Sequence, residues 1–226
     1  MDLIDLITQY ALDTENPEVN YELAKEYEKE KQYASAWLYY FRCAERTEND
    51  LLGYKSLIRA SICIKKQSNR WTTEKTLLQQ AINLLPKRPE AYYNLSLIYE
   101  KDGDWQNSYL YAQIGEQWCT DDLVDIDIPE YPGKYGHIFQ RAIVGWHWGK
   151  NFECRELFQV LVNEYWDVMN DEHRNLTEKN MTSLGVPDQV SHTRYNKEDH
   201  SLLRYKFPGS ENIANNYSQI YQDMFT

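Results

Sequence analysis

The chain has 226 residues and a mass of 27.0 kDa, with 24 basic and 35 acidic side chains and a formal net charge of −11. Hydrophobic residues make up 42% and aromatic residues 14%, against 9 glycines and 7 prolines, which excludes a disordered chain and suits one ordinary domain or one repeat array. The acidic balance argues against nucleic acid and anionic membranes as partners, and no run nears the ~20 apolar residues needed to cross a bilayer.

The first residues, MDLIDLITQYAL, carry Asp2 and Asp5 and no basic group, so they do not read as a secretory signal. Cys43, Cys63, Cys119 and Cys154 are scattered, with no C-x-x-C pair. That pattern fits reduced, buried thiols and a cytoplasmic protein. The charge is unevenly spread. Residues 1–50 hold 12 acidic and 5 basic side chains, whereas residues 51–90 hold 8 basic and 2 acidic. The basic island (Lys55, Arg59, Lys65, Lys66, Arg70, Lys75, Lys87, Arg88) reads as a solvated face that pairs with acidic neighbours. The other reading is a seat for an anionic partner.

In chain order, residues 2–12 predict a capping helix with Leu3, Ile4, Ile7 and Leu12 apolar. Two segments then align without a gap, 72 residues apart. Leu23-Ala24, Tyr27, Tyr33, Ala36 and Tyr40 match Leu95-Ser96, Tyr99, Trp105, Ser108 and Ala112. A large, a small and an aromatic residue at i, i+1 and i+4 line one face of a first helix. A small residue further on lets a second helix pack close. A degenerate copy lies between them, with Leu57, Ala60, Ser61 and Ile64, then Leu77, Leu78, Ala81, Ile82 and Leu85. Pro86 ends its second helix, and Pro89 precedes the next one. A loop over residues 121–134 holds two prolines and Gly133, and its alternating Asp and Ile suggest a short extended stretch. A fourth copy follows, with Phe139, Ala142, Ile143 and Trp146, then Leu157, Phe158, Leu161 and Val162. Residues 170–184 predict one more helix, stopped by Gly185 and Pro187. Residues 186–212 are polar and non-periodic, and residues 213–225 regain an amphipathic helical pattern. A single repeat cannot bury its own apolar face, so the copies must stack. The expected fold is all-α: a right-handed helical-repeat solenoid of about ten helices with an irregular C-terminal tail. The expected division is a repeat domain over residues 1–185 and a linker with an amphipathic helix over 186–226.

The repeat pattern resembles the tetratricopeptide repeat. Asn16-Pro17, Tyr21-x-Leu23-Ala24-x-x-Tyr27 and Tyr33-x-x-Ala36 also resemble the repeat region of bacterial glycosyltransferase-type proteins. So does Leu84-Leu85-Pro86-x-Arg88-Pro89-Glu90-Ala91 leading into the Leu95/Tyr99 helix. That resemblance covers roughly residues 10–185. The tail, Arg204 to Ile213 with Asn216-Tyr217-Ser218-Gln219 and Gln222-Asp223-Met224-Phe225, resembles the lead-in to FkbM-type methyltransferases. The resemblances imply the helical-repeat part of a glycan-modifying system. The chain carries no Gly-rich strand–turn–helix of the kind that binds S-adenosylmethionine.

No catalytic motif is complete. The five histidines form no i, i+3 or i, i+4 pair, so no metal site is expected. Glu153 and Glu156 share one helix face, whereas a glycosidase needs its carboxylates across a cleft. Asp125-Ile126-Asp127 has the spelling of a transferase metal motif but reads as part of the acidic loop. No cofactor is expected. The aromatics carry more information. Tyr27, Tyr40, Tyr99 and Trp105 fall at core positions, while Tyr21 and Tyr93 should face the concave side of the array. Lys25, Glu28 and Glu100 should join them there. These five form the candidate binding face, since tyrosine is enriched where partners bind. The expectation is a non-catalytic interaction or scaffold module that binds a protein partner or an adjacent enzyme domain. The alternative is a piece of a glycosyltransferase or S-adenosylmethionine-dependent methyltransferase.

Overall fold

The helix starts and stops are set by local chemistry that recurs from pair to pair. A computed structural model describes residues 3–67 and 70–183 and contains ten α-helices among them. They are α1 (Leu3–Leu12), α2 (Pro17–Lys29), α3 (Tyr33–Arg46), α4 (Asp50–Gln67), α5 (Trp71–Leu84), α6 (Glu90–Lys101), α7 (Trp105–Gln117), α8 (Lys134–His147), α9 (Asn151–Val160) and α10 (Asp171–Ser183). A π-helical turn (Leu161–Tyr165) and a 3₁₀ turn (Trp166–Val168) lead from α9 toward α10. No strand occurs among the described residues. The expected boundary at residue 185, the linker and the helix over 213–225 lie outside them.

Asn16 caps α2 by accepting a hydrogen bond from the Val19 amide at 3.1 Å, and Pro17 opens the helix where its missing N–H is not needed. Asp104 caps α7 in the same way, accepting from the Asn107 amide at 3.1 Å. Three first helices end in the same left-handed turn. Gln32 N donates to Tyr27 O at 2.8 Å, Asp104 N to Tyr99 O at 2.9 Å and Lys150 N to Gly145 O at 2.8 Å. The residue before each donor is Lys31, Gly103 or Gly149, with φ of 58°, 74° and 83°. Glycine suits that conformation, and the first pair places a lysine in it.

Each helix from α2 to α9 packs on its successor, so α2–α3, α4–α5, α6–α7 and α8–α9 form four stacked pairs. The first helices α6 and α8 also pack directly on each other, whereas no two second helices do so to that extent. At that end of the array the first helices approach each other more closely than the second helices do. The core runs from α2 to α6 through Tyr40, Tyr54, Ile58, Cys63, Leu78 and Leu95. A second cluster joins Tyr135, Phe139, Phe158, Leu161, Met169 and Met181. Burying one such aliphatic or aromatic side chain contributes roughly 1.5–3 kcal/mol. Small residues allow the close approach within pairs: Ser108 Oγ donates to Ser96 O at 2.7 Å across α6 and α7.

Of the tyrosines expected in the core, Tyr40 is fully buried. Tyr27 and Tyr99 are half-buried and stack instead on Tyr39 and Tyr111, with ring centroids 5.4 and 5.2 Å apart. Trp105, also half-buried, stacks on His147 at 4.5 Å. The same stack occurs in both copies, so the repeat places these aromatics at the seam between its two helices.

Candidate functional site

The connection between α7 and α8 does not stay at the ends of its own helices. It crosses the first helices of the preceding pairs. Ile126 and Ile128 point inward, are 5% and 8% exposed, and belong to the same core cluster as α4 and α6. Asp125 and Asp127 between and before them face solvent. The stretch forms no strand, because Asp127 and Glu130 both take left-handed backbone angles, φ 51° and 64°. Polar contacts fasten it to the helices. Arg59 Nη2 donates to Asp127 O at 3.0 Å and to Asp127 Oδ2 at 3.3 Å. Arg88 Nη2 donates to Val124 O at 2.9 Å, and Lys66 Nζ lies 3.5 Å from Glu130 Oε1. At the far end Tyr131 packs edge-on to Tyr93 and His137, and its Oη lies 3.3 Å from His137 Nε2. The segment and the start of α6 together line a cleft of about 470 Å³, bounded by Arg88, Glu90, Cys119 and Tyr131 among others.

The two arginines are themselves built into the helices. On α4, Arg59 Nη1 donates to Glu28 Oε2 at 2.9 Å, and Tyr40 Oη donates to the same oxygen at 2.7 Å. Before α6, Arg88 pairs with Glu90, whose Oε2 also accepts from Tyr54 Oη at 3.0 Å. Tyr54 Oη in turn accepts from the Ala91 amide at 3.0 Å, closing the start of α6. Arg59, Arg88 and Glu90 are all buried. A buried charge is tolerated only when paired and hydrogen-bonded, and removing one partner costs about 3–5 kcal/mol. Both guanidinium groups therefore stay fixed, each with one nitrogen turned to the crossing segment.

The five residues expected on the binding face all lie on α2 or α6. Tyr21 is 7% exposed, its ring edge-on to Tyr40 and below Lys25 and Lys55, whose Nζ atoms stand 5.7 and 5.5 Å from its centroid. Burial raises the Tyr21 phenol well above the ordinary tyrosine range. Lys25 pairs with Glu22 at 2.9 Å. Glu28 is engaged by Tyr40 and Arg59. Tyr93 is 5% exposed beneath Tyr131 and His137, and Glu100 accepts from Gln140 Nε2 at 2.7 Å. The concave-face expectation assumed side chains open to a partner. Tyr21 and Tyr93 are instead covered, because the lysines and the crossing segment lie above them.

The sequence reading did not single out Arg59, Arg88 and Lys55 within the basic island. Its acidic partners come from the crossing segment, Asp127 and Glu130, and from α2 and the two ends of α6, Glu28, Glu90 and Asp102, and Arg59 and Arg88 are buried rather than solvated. The available signal was the match between a basic island and a loop holding Asp121, Asp122, Asp125, Asp127 and Glu130. Lys55 forms no ion pair among the described residues. Burial lowers its pKa, as does the charge of Arg59, while Asp127 and Asp125 oppose the shift.

The remaining candidates are packed into the frame. His137 is fully buried, and desolvation holds its pKa down to about 3. Glu153 joins Arg141, Tyr109 and Lys150 in a cluster between α7, α8 and α9, with Arg141 Nη2 at 2.8 Å. Among the described residues no three His, Cys, Asp or Glu side chains gather as a metal site. No described helix is long and apolar enough to cross a membrane.

One solved structure agrees with this architecture. A thermophilic tetratricopeptide-repeat protein of Thermus thermophilus, TTC0263, has a similar structure, with a TM-score of 0.53 and 14% sequence identity. The match covers 80% of this chain and 89% of that one. Yeast Tom70 matches over 81% of this chain and 43% of its own, with a TM-score of 0.43 and 14% identity. No protein-family model matches the sequence, and no curated protein matches it. The fold is thus an all-α, tetratricopeptide-like helical-repeat solenoid.

Proposed function

We propose that the chain is a non-catalytic interaction module whose first-helix face, formed by α2, α4 and α6, binds a segment of a protein partner. The observation that carries this reading is a non-helical stretch of polypeptide already lying on that face. It is held by Arg59 and Arg88 through the main-chain carbonyls of Asp127 and Val124, and by Arg59 through the Asp127 carboxylate as well. Tyr21, Lys25 and Tyr93 are put forward as contact residues beside Lys55, with Glu28 and Glu100 positioning the helices. Peptides selected from a display library on the intact chain test this. They should lose at least tenfold in affinity on Lys55→Glu and nothing on Lys179→Glu, a change on the exposed side of α10. Failure to enrich any peptide, or equal loss at both sites, overturns the reading.

The finer part of the proposal places the module beside glycan-modifying enzymes in the cytoplasm. Its support is the resemblance of residues 16–36, 84–99 and 204–225, together with four free thiols, three of them buried. Burial pushes those of Cys43 and Cys154 up to about 11. Residues 1–185 would be the module and 186–226 the link to a neighbour. Turnover of nucleotide sugars by the purified chain would contradict a non-catalytic role. The tail also motivates a second reading, a piece of a methyltransferase. Calorimetry with S-adenosylmethionine on a chain extended by a downstream domain tests it, and absence of binding removes it.

A further inference from the structure

We infer that the segment between α7 and α8 is an internal stand-in ligand, and that the partner supplies an extended acidic–aliphatic peptide which displaces it. The inference deepens the proposed function and rests on the first-helix face being a protein-binding surface. Three features of the segment define the partner's chemistry. Two alternate aliphatic side chains, Ile126 and Ile128, are buried against the first helices. Carboxylates flank them. Two main-chain carbonyls, of Val124 and Asp127, accept from buried arginines. On the helix side the charge is complementary: Lys55, Arg59, Lys66 and Arg88 face the segment.

The segment is also an imperfect occupant. Two of its non-glycine residues, Asp127 and Glu130, are held in the left-handed region, which side chains disfavour. Tyr21 Oη is buried and has no hydrogen-bond partner among the described residues. A buried donor in that state is rare and unfavourable. Lys55 lacks a carboxylate at ion-pair distance. The segment also leaves a cleft beside it, lined by Arg88, Glu90 and Cys119, unfilled by its own side chains. It holds its place because it is tethered at both ends, which gives it a high effective concentration on the face. An untethered peptide of the same chemistry can adopt relaxed backbone angles, bring a carboxylate to Lys55 and offer an acceptor to Tyr21 Oη.

The test uses a fluorescent peptide with the sequence of residues 121–131, DDLVDIDIPEY, and polarisation to follow its binding. It is titrated into the intact chain and into a chain whose residues 122–130 are replaced by a Gly/Ser linker of equal length. The expected result is binding to the linker chain at least tenfold tighter than to the intact chain. Arg59→Ala in the linker chain should lower affinity at least tenfold, and a peptide with Lys at each Asp position should not bind. A folded linker chain that ignores the peptide, binding equal in both chains, or indifference to Arg59→Ala overturns the inference. If circular dichroism shows that the linker chain is unfolded, a chain nicked between Asp121 and Asp122 decides. It keeps every side chain and loses one tether, so it should take up the peptide more tightly than the intact chain, and equal affinity overturns the inference. Library peptides that depend on Lys55 but are basic or lack aliphatic alternation would leave the binding face standing and remove the stand-in ligand.

Discussion

The two aligned copies, residues 20–43 and 92–115, solve the same packing problem with different side chains. In each, a glutamate on the first helix is tied to the next first helix. Glu28 meets Arg59 at 2.9 Å, and Glu100 meets Gln140 at 2.7 Å. One turn earlier on those same helices, Ser56 Oγ bonds Cys43 Sγ at 3.3 Å, whereas His137 packs against Gly115. Cys43 and Gly115 hold the same register in α3 and α7. The geometry of the link is therefore repeated while its volume and charge are redistributed. In the second copy the tie is neutral and uses the amide of Gln140 within the helices, reaching Glu100 and Ser108. In the first it is charged, and the guanidinium keeps a nitrogen for something outside the helices. That spare donor turns a structural tie into a seat for polypeptide.

The largest effect should come from exchanging the small residue. A Cβ on Gly115 would lie 2.2 Å from His137 Cε1 and 2.9 Å from Tyr92 Cβ, with no room to shift. Gly115→Cys, which copies the first repeat into the second, should destabilise by about 3 kcal/mol in urea denaturation. Adding His137→Ser should recover part of that loss by removing the closer clash, while the Tyr92 contact remains. If the double variant is no better than the single one, the two copies are not interchangeable at this contact.

Arg59→Gln copies the second repeat's neutral tie into the first. It replaces the charged bonds to Glu28 by a neutral amide donor and removes the donor to Asp127. Because the new amide and Tyr40 still donate to Glu28, it should cost about 2 kcal/mol, less than leaving the carboxylate unpaired. Hydrogen exchange at the Ile126 and Ile128 amides should accelerate with it. Unchanged exchange there would mean that Arg59 does not hold the segment.

The third contrast is one of pH. His137 has a folded pKa of about 3, below the ordinary 6.5, because burial disfavours its charged form. The unfolded chain takes up a proton below pH 6.5 and the folded chain does not. Its contribution is therefore complete above that pH and is lost as pH falls toward 3. Its neighbours Tyr93, Tyr131 and Cys119 are all raised by burial and stay neutral across that window. Stability should drop by about 2 kcal/mol more between pH 7 and 5 in the wild-type chain than in the Gly115→Cys/His137→Ser double variant. Equal drops would place the sensitivity elsewhere.

The smallest effect concerns the turns. Lys31, at φ 58°, occupies the place that Gly103 holds at φ 74°. Lys31→Gly should raise stability by about 1 kcal/mol, since only a side chain makes that angle unfavourable. Thermal denaturation can read the change, and a loss of stability would show that the Lys31 side chain contributes more than its backbone strain removes.

Much of the frame was legible in the residues. The 72-residue match located two helix pairs, and Pro86 and Pro89 marked one helix end and the next start. Tyr27, Tyr99 and Trp105 read as core residues, and their stacking at the seam came only from the structure. The alternation of Asp and Ile suggested an extended stretch; that its isoleucines are buried came from the structure. The binding face was harder to read. Tyr21 and Tyr93 were assigned to it from register alone, and register cannot say what lies on top of a residue. Arg59 and Arg88 looked like members of a solvated island, because charge counting carries no information about burial.

The sequence by itself determined an all-helical array, its repeat length, its turns and a disparity of charge between a basic stretch and an acidic loop. These follow from local propensity and from periodicity, which act within a few residues. Only the tertiary structure decided that the acidic loop lies across the basic helices and that Arg59 reaches it, 68 residues away in the chain. That choice depends on contacts far apart in sequence, because Ile126 and Ile128 are buried only where α4 and α6 offer an apolar surface flanked by two fixed guanidinium groups.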